Sequence, residues 1–235
     1  MKKNVMMRTA SLLLVLVLMT SSVISGTFAK YVTDGTATDN ARVAKFGVVV
    51  NGSTDIFDAT YDKTDSGYAG DVTVSADTNA VAPGTGKTMG AFTITGQPEV
   101  ATRVTFSANV DLANWEVDGG YYCPLIVKVT DNTKDPSETT TIKGLDYSSM
   151  DAFENAIEAA VVAITKDYAP GANMADIVDD ISVSWEWPIE NPADAALKGT
   201  LQWQSNAKDT KLGDAAVTNA ATISIAITCT VTQID

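Results

Sequence analysis

The residue types that could do chemistry in this chain are few, and one absence decides much. There is no histidine among the 235 residues. No Ser-His-Asp or Cys-His nucleophile system can therefore be assembled. Catalytic zinc sites usually rely on His ligands, and these too are missing. A carboxylate-only or Lys-based mechanism stays open, but no positioned carboxylate pair stands out. The expectation is a protein that is not an enzyme, with no catalytic residue, no metal and no cofactor. The remaining reactive side chains are Cys123 and Cys229. In the run 121–130, Tyr121, Cys123, Leu125, Val127 and Val129 alternate onto one face. In the last run, Ile223, Ile225, Ile227, Cys229 and Val231 do the same. Both thiols thus point with apolar side chains. They are either a disulfide across the core or two free thiols packed as small hydrophobes.

Three other patterns have plainer readings. Gly84-Thr85-Gly86-Lys87-Thr88 resembles the end of a phosphate loop, but Val81 stands where its first Gly belongs. The following residues read as a strand, not as a helix whose N-terminus could hold phosphate. Asp62-x-Thr64-x-Ser66-Gly67 and Asp131-x-Thr133-x-Asp135 resemble calcium loops, but neither has a Glu at the twelfth position. Both read as polar turns. Trp185, Trp187 and Trp203 suggest a sugar-stacking platform. Yet Trp185 and Trp187 alternate with Ser182, Ser184 and Glu186 onto the face of Ile181 and Val183, and Trp203 aligns with Leu201, which places them in a core.

The elements that must position these residues are mostly strands. Runs at 42–50, 72–74, 88–95, 99–110, 121–130, 181–187, 201–203 and 217–234 are strand-like, with Gly/Pro/Asn turns between them. Ala80–Gly86 (AVAPGTG) is one such turn. Tyr147–Lys166 is the exception. Ser149 is placed to cap a helix, and Phe153, Ile157, Ala160, Val161 and Ile164 recur every three or four residues. A second short helix is expected at Met174–Asp179. Together these predict a mainly β fold, a jelly-roll or Greek-key β-sandwich with a helical excursion around 147–180.

The first 29 residues read as a secretory signal peptide. Lys2, Lys3 and Arg8 precede an apolar run, Leu12–Met19, and small residues follow at Thr27 and Ala29. The apolar run is far shorter than the roughly 20 residues a membrane span needs. Cleavage is expected between Ala29 and Lys30. Residues 30–41 are polar and aperiodic, a mobile N-terminal segment, and 42–235 form a single sandwich domain. The leader holds three of the 16 basic residues and none of the 29 acidic ones, so the mature chain carries a net charge of −16. That balance opposes nucleic acid and anionic membranes.

The leader and the following GTFAKYVTDGTATDNARVAKFGV (26–48) resemble those of the TasA/camelysin-like family, secreted proteins of Firmicutes processed by a SipW-type signal peptidase. APGTGKTMGAFTITGQPEVATRV (82–104), SWEWPIE (184–190), AKDTKLGDAA (207–216) and VTQID (231–235) extend the resemblance over most of the chain. It implies an exported jelly-roll subunit of an extracellular fibre, biofilm matrix or cell-surface layer of a Gram-positive bacterium. Its partners would be other copies of itself and other matrix proteins. Assembly would be head-to-tail, with the processed N-terminus as donor strand. Tyr31, Val32, Val43, Phe46, Val48 and Val50 would supply the donor's contacts, although 42–50 also reads as the domain's own first strand. Camelysin-like relatives are classed with metallopeptidases, but without His or an H-E-x-x-H motif that activity does not carry over. The ending Gln233-Ile234-Asp235 has no sortase-type signal, so wall anchoring is not expected. The rival reading is a monomeric adhesin or glycan-binding sandwich.

Overall fold

The computed structural model describes Leu13 and residues 42–52, 56–57, 60–61, 72–73, 80–89, 92–176, 181–189 and 205–234. The chain divides into two units, Met1–Val43 and Ala44–Asp235. In the first, Leu13 is helical, and it, Arg42 and Val43 are exposed.

The second unit is mainly β. Its strands are β1 (Val49–Asn51), β2 (Thr60–Tyr61), β3 (Val72–Thr73), β4 (Gly86–Thr88), β5 (Thr93–Thr95), β6 (Thr102–Ala113), β7 (Glu116–Val117), β8 (Gly120–Tyr121), β9 (Ile126–Asp131), β10 (Glu138–Lys143), β11 (Thr165–Tyr168), β12 (Ile181–Glu186) and β13 (Thr222–Gln233). Among the described residues two α-helices accompany them, α1 (Met150–Val162) and α2 (Asn206–Asn219). One sheet has the order β10-β9-β12-β4 and the other β11-β6-β13, while β1-β5, β2-β3 and β7-β8 form two-stranded ribbons. Every pairing among the described residues is antiparallel.

Alternation explains why the two larger sheets share a core. Val104, Phe106, Val110 and Leu112 of β6 and Ile225 and Ile227 of β13 turn inward from one sheet. Val127 and Val129 of β9 and Ile181, Val183 and Trp185 of β12 turn inward from the other. All belong to one continuous buried cluster. Trp115, Trp185 and Trp187 lie in it. The Trp115 indole N–H donates to the Thr222 carbonyl at 2.7 Å, and that of Trp185 to the Ile56 carbonyl at 2.6 Å, so burial leaves neither donor unpaired.

Helix α1 forms as its sequence dictates. Ser149 caps it, its side chain accepting from the Ala152 N–H at 3.2 Å. Phe153, Ile157 and Val161 are fully buried, and the helix packs on β6, β9 and β10. It stops at Val162, short of the expected Lys166, because Thr165–Tyr168 is captured as β11 by the amide ladder of β6. The expected helix at Met174–Asp179 is a 3-10 turn over Met174–Asp176, and its last three residues lie outside the described ones.

Several strand boundaries are corrected. The run 42–50 pairs only from Val49 onward, because Gly47 sits at a φ of +43° and turns the chain. Within 88–95, Thr88 and Thr93 belong to different sheets. The run 121–130 is not one strand. Tyr122, Cys123, Pro124 and Leu125 are buried in succession, which no alternating strand allows, and β9 starts only at Ile126. The last strand starts at Thr222, since Val217–Asn219 are the end of α2. Helix α2 had no helical signal in the sequence: its buried residues are Asp209 and Leu212, so its inward face carries a single large apolar side chain. Strand β10 was also missed. Ile142 is its one apolar residue, so β10 shows no alternation. The 201–203 run lies outside the described residues.

Candidate functional site

For a chain that would assemble by strand addition, the relevant chemistry is that of unpaired backbone N–H and C=O groups at sheet edges. Two edges have opposite fates. Which residues face each edge follows from the register. The N–H of Met89 donates to the Val183 carbonyl at 2.8 Å, so odd-numbered residues of β12 point toward β4 and even-numbered ones toward β9. Ser182, Ser184 and Glu186 face Thr130, Lys128 and Ile126, so the odd residues of β9 point toward β10. Opposite them stand Glu138, Thr140 and Ile142. The same phase continues past the strand, where the Gly144 N–H donates to the Leu125 carbonyl at 2.8 Å. The backbone groups of Thr139, Thr141 and Lys143 therefore point away from the sheet. No strand pairs with that side of β10 among the described residues. Every β10 residue except Ile142 is exposed. Asp131 anchors the preceding turn, accepting from the Thr133 N–H at 3.0 Å and the Thr133 hydroxyl at 2.6 Å. Lys134 pairs with Asp131 at 3.4 Å and also with Glu138. Burial alone would raise the Asp131 carboxyl, but the bonds from Thr133 and Lys134 outweigh it and hold the group below its ordinary value.

The edge of β6 is covered. The Thr165 hydroxyl donates to the Val104 carbonyl at 3.2 Å, so even-numbered β6 residues face the β11 side. Strand β11 pairs only Thr102–Thr105. Beyond it, helix α1 takes over. The Val110 N–H donates to Glu158 Oε1 at 2.9 Å and the Leu112 N–H to Glu154 Oε1 at 2.6 Å. Four residues along a helix advance about 6 Å, and two along a strand about 6.8 Å. Glutamates at i and i+4 therefore match the spacing of alternate strand amides. Each such bond to a carboxylate contributes about 1.5–3 kcal/mol.

The sequence-predicted residues fall as follows. Ala29, Lys30, Tyr31 and Val32 lie outside the described residues. Val43 is 92% exposed. Phe46 is half-buried, while Val48 and Val50 pack on the unit's own core, and Val50 pairs with Ile94 of β5. Next to them the Lys45 N–H donates to the Glu99 carboxylate at 3.0 Å. Within the single chain Val48 and Val50 thus pack on their own unit, in keeping with the reading of 42–50 as the domain's own first strand. No disulfide joins Cys123 and Cys229, so the candidate bridge is not formed. Burial pushes the Cys123 thiol up to about 12, against opposing hydrogen bonds from the Leu125 backbone and the Tyr121 side chain. Such a thiol is unreactive near neutrality.

Trp185 and Trp187 are core residues, as their alternation predicts, and Trp203 lies outside the described residues. The Gly84–Thr88 segment is a turn running into β4. The Gly84 N–H donates to the Trp187 carbonyl at 2.7 Å, and a Cβ on Gly86 would come within 2.7 Å of the Trp185 carbonyl. Helix α2 is fixed by the buried Tyr122, whose hydroxyl donates to Asp209 Oδ1 at 2.8 Å. Among the described residues no group of three Cys, Asp or Glu side chains converges as a metal site, and no helix is long and apolar enough to cross a membrane.

Sequence reasoning missed the residues that make the two edges. For β10 the available signal was the β-branched run Thr139-Thr140-Thr141-Ile142. For Glu154 and Glu158 it was only their i,i+4 spacing beside the apolar stripe of α1. Comparison with protein-family models, with curated proteins and with solved structures found no match to this chain.

Proposed function

We propose that this protein is a secreted structural subunit of an extracellular fibre or surface matrix, built by strand addition between copies. The observation that carries the reading is the outer edge of β10. It has three consecutive outward-facing backbone positions, exposed threonine side chains, and no strand beside it among the described residues. An extended segment of another copy would satisfy these groups by β-augmentation. The polar segment 30–41, freed at its start by cleavage after Ala29, is the proposed donor, and 44–51 stay with their own domain. A contact that joins unlike surfaces does not close on itself, and so extends into filaments. The leader, the acidic balance and the family resemblance, with its jelly-roll connectivity, support the same reading. The monomeric glycan-binding alternative is weakened by the burial of Trp115, Trp185 and Trp187.

The test compares purified residues 30–235 with a version lacking 30–41, by light scattering and electron microscopy over time. Filaments from the first and none from the second are expected. A mature form that stays monomeric at every concentration, pH and salt tried would remove the basis of the reading.

A further inference from the structure

We infer that helix α1 is a guard that holds the β6 edge closed to strand addition. The inference rests on the strand-addition reading above and concerns how that assembly is limited.

Strand β6 is twelve residues long, and β11 pairs only its first four. Were nothing else present, the even-numbered positions from Phe106 to Leu112 would form a second open edge, longer than that of β10. The chain does not cover it with more strand. It covers it with a helix that offers carboxylates in place of strand carbonyls, Glu158 to Val110 and Glu154 to Leu112. Helix and strand are consecutive, so α1 and β11 form one segment laid along one edge. The helix is held by Phe153, Ile157 and Val161, all fully buried. The two carboxylates are separate from that anchor. They are only half-buried, and what they do is occupy the amides that an incoming strand needs. With that edge open, a second donor would add at β6 beside the one at β10, and assembly would branch there. With β6 closed, that branch point is removed.

The occupant of an unguarded β6 edge is the same segment of a second copy, residues 30–41. It can be supplied as a synthetic, fluorescently labelled peptide and titrated against mature 30–235 and its variants. Thr141→Pro removes an outward amide of β10 and no β9–β10 ladder bond, and so shuts that edge. The expected series is binding to the wild type, none to T141P, and restored binding to T141P carrying Glu154→Ala and Glu158→Ala. Hydrogen exchange provides the second readout, and it survives if the combined variant fails to fold. E154A alone should speed exchange at Leu112, and E158A alone at Val110, by about 10- to 100-fold. Gln at either position, which keeps a carbonyl acceptor, should change it far less.

Binding to the wild type with none to the triple variant, while both amides exchange freely, overturns the guard and leaves the fibre reading intact. Unaltered exchange in the single Ala variants overturns it as well. No binding to any form overturns the fibre reading, and the guard with it.

Discussion

Along β6, the edge amides of Val110 and Leu112 meet carboxylates of an adjacent helix. Along β10, those of Thr139, Thr141 and Lys143 point away from the sheet, with no strand beside them among the described residues. Both edges belong to sheets that share one core, and α1 packs on β10 as well as β6. The difference is therefore not one of distance from the helix. It lies in what each strand shows to its neighbour. The inward face of β6 carries Val104, Phe106, Val110 and Leu112, and so draws an apolar helix onto its flank. Strand β10 offers only Ile142, and the rest of its side chains remain in water. Covering an edge needs apolar surface to bind the cover, and β10 lacks it. A strand that cannot recruit a lid stays available to a partner, provided that partner binds through backbone groups.

Four substitutions, one of them read against pH, sharpen or break that contrast. The largest effect is expected from proline on β10. Thr141→Pro should abolish filament formation with the domain still folded, because the lost amide faces outward. Thr140→Pro should instead cost about 1–3 kcal/mol, since it strips a ladder bond from β9. Equal thermal stability of the two variants would refute the assigned register. Next comes the anchor of the covered edge. Phe153→Ala should cost about 3–5 kcal/mol in denaturant unfolding and speed exchange at Val110 and Leu112 together. A small cost with unaltered exchange would mean that α1 is not held by this side chain.

The smallest effect concerns pH. Asp131 has its folded pKa held below the ordinary 3.8, so it stabilises the fold above its unfolded value and loses that contribution as pH falls through the folded one. The wild type should be more stable than Asp131→Asn above about pH 4, and the two should converge in stronger acid. A difference that persists unchanged into acid would show that the β9–β10 turn does not depend on the charge.

Much of the covered edge was legible in the sequence. The Ser149 cap and the stripe of Phe153, Ile157 and Val161 are local signals, and α1 forms where they place it. The alternation in β12 and β13 likewise predicted which residues are inside. What the sequence hid was pairing across long separations. Glu158 lies 48 residues from Val110, and nothing near either marks the other as a partner. The open edge was nearly invisible, because a strand exposed on both faces has no period to read. Helix α2 was hidden for a related reason. Its inward face carries the polar Asp209, bonded to Tyr122, in place of an apolar stripe. The alternation through Tyr121, Cys123 and Leu125 misled because Tyr122 and Pro124 between them are buried too.

The most direct test of the account is residue-resolved hydrogen exchange on mature 30–235 before and after assembly. The amides of Thr139, Thr141 and Lys143 should pass from fast to strongly protected on assembly, while those of Val110 and Leu112 are protected in both states and do not change. Filaments in which the three β10 amides still exchange as fast as in the monomer would contradict it.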